Sequence, residues 1–316
     1  MNRRQRALLA ELAKGWPAAM QFDVSMASYS TLRAGGKAAA LIDVHTLADL
    51  RVLLERLHEE HLVFRVIGRG SNILVTDKGF PGVMIRLKGE FERIELVEDA
   101  GSGSLRQEGL LVKAGGGCPL GRFLSWCTQQ GLAGLEFLTG IPGSVGGAVR
   151  MNAGASGGEI GDRLHALALL DARGNLITVS RSDVQLSYRK AELAGKNFDA
   201  LIVVSACFCL LPDTQEGICS RCADFLAQRK GKQPAGAASA GSFFKNPSGD
   251  AAGRLIDAAG LKGHCCGEAM VSPVHANFLI NTGKGTATDI LNLMELVQDR
   301  VFQMFAVRLE PEVEII

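Results

Sequence analysis

Glycine is concentrated in the first half of the chain, and this concentration constrains the fold more than any other feature of the sequence. Glycine occupies 38 of 316 positions, or 12%, against about 7% in average proteins. Sixteen of these residues fall between Gly101 and Gly158, without the period of three that indicates collagen. Since glycine has no Cβ, such a segment favours left-handed backbone and close approach of the backbone to other groups. The sequence therefore predicts demanding backbone geometry in this segment.

The remaining composition is that of an ordinary globular protein. Hydrophobic residues make up 47% of the chain and charged residues 21%, which excludes disordered and coiled-coil classes. A length of 316 residues predicts two or three packed units. The net charge of +1 supplies no overall field for nucleic acid or an anionic membrane, so we expect neither as a partner.

Nothing in the sequence predicts membrane insertion or secretion. The longest apolar stretch, residues 200–211, is 12 residues long, too short to span a bilayer. Arg3 and Arg4 open the chain, but Glu11 and Lys14 interrupt the apolar run that follows, and no small-residue cleavage site comes after it. We therefore expect a cytoplasmic protein.

The eight cysteines predict reduced thiols rather than a disulfide framework. Cys219 and Cys222 have a spacing found in zinc sites, but the adjacent pair Cys265 and Cys266 is awkward for tetrahedral coordination, and no second well-spaced pair exists. We therefore expect no metal, and the sequence assigns these four thiols no role.

The chain begins with a strand, a helix and a second strand. Residues 38–43 and 62–67 are typical of strands. Between them, Thr46 and Asp49 have the spacing of a capping box, and leucines follow at helical spacing. Such a unit normally crosses over in a right-handed sense and leaves its two strands parallel.

A short glycine loop, residues 68–72, follows the second strand and precedes apolar residues 73–75 and a predicted strand at 83–87. A dinucleotide fingerprint would need a third glycine and a helix after the loop, and neither is present. Successive backbone N–H groups in such a loop can bind an anion. The alternative is a tight turn that needs positive φ at Gly68 and Gly70.

Two further glycine clusters follow. Gly115-Gly116-Gly117 precedes Pro119, which suits the first position of a helix that ends at Gly131. The third cluster, residues 139–155, is the densest. Its composition favours a large cofactor with a pyrophosphate lying against the backbone, and the alternative is close packing between two elements of the protein.

The second half of the chain contains further strands and helices. Strands are predicted at 164–171, 176–179 and 200–211, where Cys207 and Cys209 alternate as core residues would. Helices are predicted at 218–229, at 253–259 and after Thr286, whose spacing to Asp289 repeats the capping box. The chain is expected to close on a strand at 307–316.

Five motifs give the chain a resemblance to the UDP-N-acetylenolpyruvoylglucosamine reductase family, in that family's order and over nearly the whole chain. They are Gly68-Arg69-Gly70-Ser71-Asn72, Gly140-Ile141-Pro142-Gly143-Ser144-Val145-Gly146-Gly147, Tyr188-Arg189, Gly241-Ser242-Phe243-Phe244-Lys245-Asn246-Pro247 and Leu309-Glu310-Pro311-Glu312. The family makes UDP-N-acetylmuramate for peptidoglycan, on which cell shape and division depend.

The resemblance implies an α+β fold with two FAD-binding subdomains of the vanillyl-alcohol oxidase (PCMH) type and a smaller α+β substrate-binding domain. We place the subdomains at residues 1–90 and 91–212, the substrate domain at 213–306, and a C-terminal strand returning to the active site at 307–316. Because no histidine lies in either cofactor loop, FAD is expected to be noncovalent. A monomer with a small-molecule substrate is expected, similar to the family's second type, which lacks the loop whose tyrosine covers the substrate.

The resemblance also implies which residues bind the cofactor and the substrate. The expected FAD contacts are Gly68, Arg69, Gly70, Ser71, Asn72, Gly140, Ile141, Pro142, Gly143, Ser144, Gly146, Gly147, Asn152 and Ala153. The expected contacts to the UDP-sugar are Tyr188, Lys232, Asn246, Lys262 and His275.

The implied reaction passes hydride from NADPH to flavin N5 and then to the enolpyruvyl group of the substrate. Arg189 is expected to bind the substrate carboxylate, Ser242 to protonate the enolate carbon, and Glu312 to help polarise the carboxylate. Without the motif, each residue has a simpler explanation: a surface cation, a turn serine and one of three alternating glutamates on a solvated face.

Two other functions remain open from the sequence. The first is a different FAD-dependent alcohol or sugar oxidase on the same scaffold, which would react readily with oxygen. The second is a nucleotide-binding protein without enzymatic activity, which would retain the glycine loops but would have no use for Arg189, Ser242 and Glu312.

Overall fold

The structure is a computed structural model that describes residues 3–15, 20–97, 109–195 and 197–316. Gly101 and Gly103, part of the glycine-rich segment, lie outside these ranges. The helices described are α1 (Arg3–Gly15), α2 (Leu47–Glu59), α3 (Leu120–Gln129), α4 (Val145–Arg150), α5 (Gln215–Lys230), α6 (Ala252–Ala258) and α7 (Ala287–Phe305).

Most of the strands are short. They are β1 (Met20–Ser25), β2 (Lys37–Val44), β3 (Phe64–Ile67), β4 (Ile73–Leu74), β5 (Phe80–Leu87), β6 (Ile94–Leu96), β7 (Leu110–Gly115), β8 (Leu132–Ala133), β9 (Gly154–Ala155), β10 (Gly158–Glu159), β11 (Leu164–Leu170), β12 (Leu176–Ser180), β13 (Val184–Ser187), β14 (Lys190–Leu193), β15 (Ile202–Pro212), β16 (Ala238–Ser239), β17 (Cys265–Cys266), β18 (Ala269–Val271), β19 (Leu279–Asn281) and β20 (Glu314–Ile315).

The predicted helix starts are confirmed where a side chain caps the helix. Thr46 accepts the N–H of Asp49 at the start of α2, and Thr286 with Asp289 forms a complete capping box at the start of α7. Each cap satisfies donors that the first turn leaves unpaired. Helix α3 differs slightly from expectation, because Pro119 is its N-cap rather than its first helical residue.

Strands β2 and β3 belong to one sheet, whose order is β1-β2-β5-β3, and their parallel direction stays a prediction. One expectation about strands was wrong. The C-terminal segment forms a strand only at β20, with an isolated bridge at Pro311. Proline has no N–H to donate to a ladder, which is one reason why the predicted strand 307–316 does not run continuously.

The chain divides into two compact units. Unit 1 comprises Met1–Met20, Leu41–Gly68 and Met84–Gln228. Unit 2 comprises Gln21–Ala40, Arg69–Val83 and Arg229–Ile316. The domain boundaries at 90, 212 and 306 stay predictions.

Unit 1 is built around the sheet β12-β11-β15-β7-β6, in which β15 pairs antiparallel with both β11 and β7. Its core contains Phe123 of α3 and Phe208 of β15, whose ring centroids are 5.2 Å apart. The prediction that Cys207 and Cys209 face the core was wrong: both are half-buried, whereas Phe208 and Leu210 are fully buried. Alternation along a strand shows that the faces differ, but not which face is covered.

Unit 2 has its own core, formed largely by α6, α7 and the sheet β16-β19-β18-β17. The apolar face of α7 is fully buried at Ile290, Leu293, Val297 and Val301. None of the described helices is both long and apolar enough to cross a membrane. Among the same residues, no three His, Cys, Asp or Glu side chains are grouped so as to hold a metal ion.

An ion pair between a buried carboxylate and a partly exposed guanidinium in unit 1 holds the segment that leads into the third glycine cluster. Glu136 is only 6% exposed. Its Oε1 accepts hydrogen bonds of 2.9 and 2.7 Å from Arg221 of α5, and its Oε2 accepts the N–H of Gly134 at 2.7 Å. Arg221 also pairs with the more exposed Asp213 at 2.5 Å. The buried carboxylate thereby fixes the approach to Gly140.

This arrangement predicts unequal losses of stability for the two carboxylates. Glu136→Ala removes the buried carboxylate that accepts the Gly134 N–H and two hydrogen bonds from Arg221, so the free energy of unfolding should fall by about 1 to 3 kcal/mol. The matched control Asp213→Ala removes an exposed partner of the same arginine and should cost less than Glu136→Ala. Urea denaturation measures both, and equal losses would contradict this account of Glu136.

Candidate active site

Two of the predicted cofactor loops meet in unit 1. A Cβ built on Gly68, at the end of β3, would lie 2.5 Å from Oγ of Ser144 and 3.4 Å from its Cβ. Ser144 is buried and caps α4 by accepting the N–H of Gly147 at 3.4 Å. A side chain at position 68 would therefore collide with the start of α4. The two glycine loops, 72 residues apart in sequence from Gly68 to Gly140, are neighbours at this point.

The second glycine cluster lies against the protein's own backbone. Added Cβ atoms at Gly115, Gly116 and Gly117 would overlap the carbonyl oxygens of Phe91, Val203 and Leu87. The N–H of Gly116 donates to the carbonyl of Val204 at 2.7 Å, and its carbonyl accepts the N–H of Gly146 at 2.8 Å. At these positions the close-packing explanation is therefore the correct one.

The loop before α4 retains donors for a ligand. Among the described residues, the N–H groups of Gly140, Gly143 and Ser144 donate to no backbone carbonyl, and Gly140 has a left-handed φ of 75°. The Ser144 hydroxyl accepts from Gly147 and has its own hydrogen to donate. Neither this loop nor residues 68–72 contains an acidic side chain. This donor set suits a group that carries phosphates.

The remainder of the first glycine loop lies in unit 2. Gly70 has a φ of 67°, and a Cβ on it would overlap the carbonyl of Tyr29. The Gly70 carbonyl accepts the N–H of Thr31 at 3.0 Å. The Asn72 side chain donates through Nδ2 to the carbonyl of Glu312 at 2.9 Å. The last loop residue thus binds the C-terminal segment in addition to any cofactor contact.

Arg189 lies in a two-residue hairpin turn of unit 1. Tyr188 and Arg189 connect β13 to β14, and Arg189 has a φ of 57°, which glycine or asparagine adopts more easily than arginine. Its guanidinium donates to the carbonyl of Gly154 at 3.3 Å and lies 4.9 Å from the centre of the Tyr188 ring. A left-handed backbone at this position costs free energy, which the surrounding contacts must offset.

Ser242 and Glu312, from segments 70 residues apart, lie on paired backbone segments of unit 2. The N–H of Glu312 donates to the carbonyl of Phe243 at 2.8 Å, and the N–H of Lys245 donates to the carbonyl of Glu310 at 2.9 Å. Phe244 and Pro311 form the antiparallel bridge between these bonds. Ser242 and Glu312 are thereby brought to neighbouring positions.

The three C-terminal glutamates are not equivalent. Glu310 and Glu314 are exposed, whereas Glu312 is half-buried and its Oε2 is inaccessible to solvent. The solvated-face explanation therefore fails for Glu312, the glutamate that the motif selects.

The sequence reasoning did not find Asn277, which fixes the backbone next to Ser242. Asn277 is 2% exposed. Its Oδ1 accepts the N–H of Phe244 at 2.9 Å, its Nδ2 donates to the Phe244 carbonyl at 2.8 Å, and its own carbonyl accepts the N–H of Phe243 at 2.7 Å. An asparagine within the apolar stretch 276–280 was the available signal, because a buried amide needs partners.

Four of the predicted substrate residues lie in unit 2. Lys232 is exposed, Lys262 pairs with Asp257 at 2.7 Å, and Oδ1 of Asn246 accepts the N–H of Ala252 at the start of α6 at 3.0 Å. His275 is half-buried, and its Nδ1 accepts the N–H of Asn277 at 3.2 Å. The fifth, Tyr188, is 49% exposed in the turn of unit 1. Their role in binding stays a prediction.

Burial lowers the pKa of His275, and the nearby Lys262 lowers it further. Burial also raises the pKa of the core thiols Cys118 to about 11 and Cys127 to about 12. These two cysteines are therefore neutral side chains of the unit 1 core.

Comparison with known proteins gives matches along most of the chain. Residues 233–316 match the protein family described as "UDP-N-acetylenolpyruvoylglucosamine reductase, C-terminal domain", and residues 38–180 match the family described as "FAD binding domain". UDP-N-acetylenolpyruvoylglucosamine reductase from Syntrophus aciditrophicus is 40% identical over 298 residues, covering 94% of this chain and 92% of that protein. The enzyme of that name from Alkalilimnicola ehrlichii is 43% identical over 292 residues, covering 92% of each.

A solved structure extends the likeness to the fold. The crystal structure of UDP-N-acetylenolpyruvylglucosamine reductase from Thermus caldophilus is 37% identical to this chain and superimposes with a TM-score of 0.77. The match covers 94% of this chain and 99% of that structure. Together with the FAD binding domain match, it confirms the predicted α+β fold class.

The contact between the two cofactor loops predicts coupled effects of substitution. Gly68→Ala places a Cβ against Ser144 Oγ and should destabilise the protein by about 1 to 3 kcal/mol. Ser144→Ala removes that oxygen. It also removes the cap of α4, and the loss of the cap should destabilise the protein by about 1 kcal/mol. In the double variant the collision is relieved. Its loss of unfolding free energy, measured by urea denaturation, should therefore be at least about 0.5 kcal/mol smaller than the sum of the losses in the two single variants. Strict additivity would show that the loops are not in contact.

The environment of His275 predicts a dependence of stability on pH. Because its pKa in the folded protein is below the ordinary value of 6.5, the unfolded chain binds more protons between the two values. The contribution of neutral His275 to the free energy of unfolding is therefore complete above pH 6.5. It is lost as the pH falls from 6.5 through the lowered pKa of the folded protein. Unfolding free energies at pH 7 and pH 5 measure this loss, and His275→Gln should make it smaller. If the difference between pH 7 and pH 5 is the same in His275→Gln, the loss does not come from His275.

Proposed function

This chain belongs to the UDP-N-acetylenolpyruvoylglucosamine reductase family, and on that premise we propose that it reduces UDP-N-acetylglucosamine enolpyruvate to UDP-N-acetylmuramate. NADPH supplies the hydride and one proton completes the addition across the enolpyruvyl double bond, leaving NADP⁺. The product is a precursor of peptidoglycan. The enzyme is proposed to act as a cytoplasmic monomer.

One observation carries this proposal beyond family membership. The bond from the Glu312 N–H to the Phe243 carbonyl, at 2.8 Å, joins the backbone of an acid with a buried carboxylate oxygen to the residue that follows Ser242, which supports a shared role for Ser242 and Glu312. A simple nucleotide-binding protein has no use for such a pair. The strained backbone at Arg189 supports a chemical role for a third residue.

FAD is the family's cofactor, and the match over residues 38–180 confirms the FAD binding domain. When bound, FAD supplies the ability to accept a hydride from a nicotinamide and to pass it to a carbon of the substrate. We propose that the backbone donors at Gly140, Gly143 and Ser144 hold its phosphates, together with the loop residues from Gly68 to Asn72. The absence of histidine from these loops supports a noncovalent attachment.

Arg189 is proposed to bind the substrate carboxylate. Its planar guanidinium can donate two parallel hydrogen bonds to a carboxylate and oppose the negative charge that grows there as the double bond is reduced. Its hydrogen bond to the Gly154 carbonyl and its contact with the Tyr188 ring restrict the side chain before substrate arrives. Less orientational freedom then has to be lost in the reaction.

Ser242 is proposed to deliver a proton from Oγ to the α-carbon of the substrate. A hydroxyl is a weak acid in water, but a carbon that carries enolate charge is a strong base, and a positioned donor shortens the transfer. Glu312 is proposed to share a proton through its carboxyl and to help Arg189 polarise the substrate carboxylate. The backbone pairing described above supports these two roles.

The remaining proposed roles concern the UDP-sugar. Lys232 and Lys262 carry the positive charge that a diphosphate requires, while Tyr188, Asn246 and His275 offer a ring and polar groups. The lowered pKa of His275 favours the neutral imidazole in this role.

Ser242→Ala should separate the two halves of the reaction. The variant retains the flavin and should be bleached by NADPH at the rate of the unchanged protein, because proton delivery to the substrate comes later. Reoxidation of the reduced flavin by the enolpyruvyl substrate should slow by about 100-fold or more, the usual contribution of a positioned acid. Anaerobic stopped-flow absorbance of the flavin measures both rates.

The matched control is Ser248→Ala, which alters an exposed serine six positions further along the chain. It should leave both rates unchanged. Normal reoxidation in Ser242→Ala would exclude Ser242 as the proton donor. Rapid reoxidation of the unchanged protein by dioxygen, with none by the enolpyruvyl substrate, would instead indicate an oxidase.

A further inference from the structure

We propose that Asn152 is a positioning residue whose buried side chain holds the turn that presents Arg189. Asn152 is completely buried in unit 1. Its Nδ2 donates to the carbonyl of Ser187 at 3.2 Å, and its Oδ1 accepts the N–H of Gly161 at 3.0 Å. Ser187 is the last residue of β13 and lies two positions before Arg189. The amide thereby connects segment 152–161 to the hairpin that carries the arginine.

The chemistry of the partners fixes the orientation of this amide. Ser187 offers a carbonyl, which only the nitrogen of the side chain can satisfy, and Gly161 offers an N–H, which only the oxygen can satisfy. Both polar atoms are thus used inside the protein. Asn152 also stays a predicted cofactor contact.

The residue type also matches the backbone at this position. Asn152 has a φ of 39°, in the left-handed region where asparagine is tolerated better than most side chains. Glycine would satisfy the backbone but would supply neither hydrogen bond. Aspartate would satisfy the backbone and the acceptor but would place a carboxylate oxygen against the Ser187 carbonyl. Asparagine meets all three requirements.

Other contacts between the two segments surround the amide. Arg189 donates to the carbonyl of Gly154 at 3.3 Å, and Arg181 Nε donates to the carbonyl of Gly161 at 3.1 Å. A Cβ on Gly161 would lie 2.8 Å from Leu186, so the hairpin packs directly against that segment. Asn152 lies completely buried within this contact. The left-handed backbone at Arg189 is maintained only if the surrounding contacts hold the turn in place.

The inference rests on the proposed role of Arg189, and Asn152→Asp tests it in the holoenzyme. The variant loses the bond to Ser187 and keeps the acceptor for Gly161. We expect faster amide hydrogen exchange in residues 184–193. We also expect reoxidation of the reduced flavin by the enolpyruvyl substrate, measured per bound flavin, to slow by roughly 10- to 100-fold. Asn197→Asp, the same change at an exposed position of unit 1, should alter none of these.

A double-variant cycle shows whether Asn152 acts through Arg189. In an Arg189→Ala background, Asn152→Asp should slow reoxidation by less than about twofold further, because the turn no longer presents a guanidinium. Equal slowing in both backgrounds, or unchanged hydrogen exchange in residues 184–193, would each overturn the inference.

The cycle also separates this inference from the proposed function. If the unchanged holoenzyme is not reoxidised by the enolpyruvyl substrate, the proposed function fails. The hydrogen exchange of residues 184–193 in Asn152→Asp still decides whether the asparagine holds the turn: faster exchange supports that role and unchanged exchange overturns it.

Discussion

The close approach of one backbone segment to another, possible only where no Cβ intervenes, is the constraint on which unit 1 depends. Gly116 donates to the Val204 carbonyl and accepts from Gly146, and a side chain at any of the positions 115–117 would overlap a carbonyl oxygen. Gly68 approaches Ser144 in the same way. These contacts set the position of the start of α4, and the donors at Gly140 and Gly143 lie in the loop that precedes it. The glycine excess therefore builds the scaffold of unit 1, and it leaves the backbone donors that are proposed to hold the phosphates of FAD.

Three buried or half-buried asparagines share one role. Each holds the backbone near a side chain that is proposed to take part in the reaction. Asn152 binds Ser187, close to Arg189. Asn277 binds Phe244, close to Ser242. Asn72 binds the carbonyl of Glu312 itself. An amide suits this task because one side chain offers both a donor and an acceptor, and because it stays neutral when buried. The reactive residues themselves then need not be deeply buried.

The sequence predicts local features of this fold better than pairings between distant segments. Thr46 and Thr286 predict the starts of α2 and α7 because a cap is formed by residues three positions apart. The motif around Glu312 predicts the reactive residue, but nothing in it predicts that Phe243 would accept its N–H, because that pairing joins distant segments. The cysteines of β15 were assigned to the wrong face, since alternation alone does not show which side is covered. Asn277 was missed because a single amide in an apolar stretch does not reveal its partners.

The central claim is that the bound flavin transfers reducing equivalents from NADPH to the enolpyruvyl group of a UDP-sugar. Anaerobic spectroscopy of the purified holoenzyme tests it most directly. NADPH should bleach the flavin absorbance, and UDP-N-acetylglucosamine enolpyruvate, added after the excess NADPH is removed, should restore it with formation of one equivalent of UDP-N-acetylmuramate. A flavin that stays reduced in the presence of this substrate and is reoxidised only by dioxygen would contradict the account.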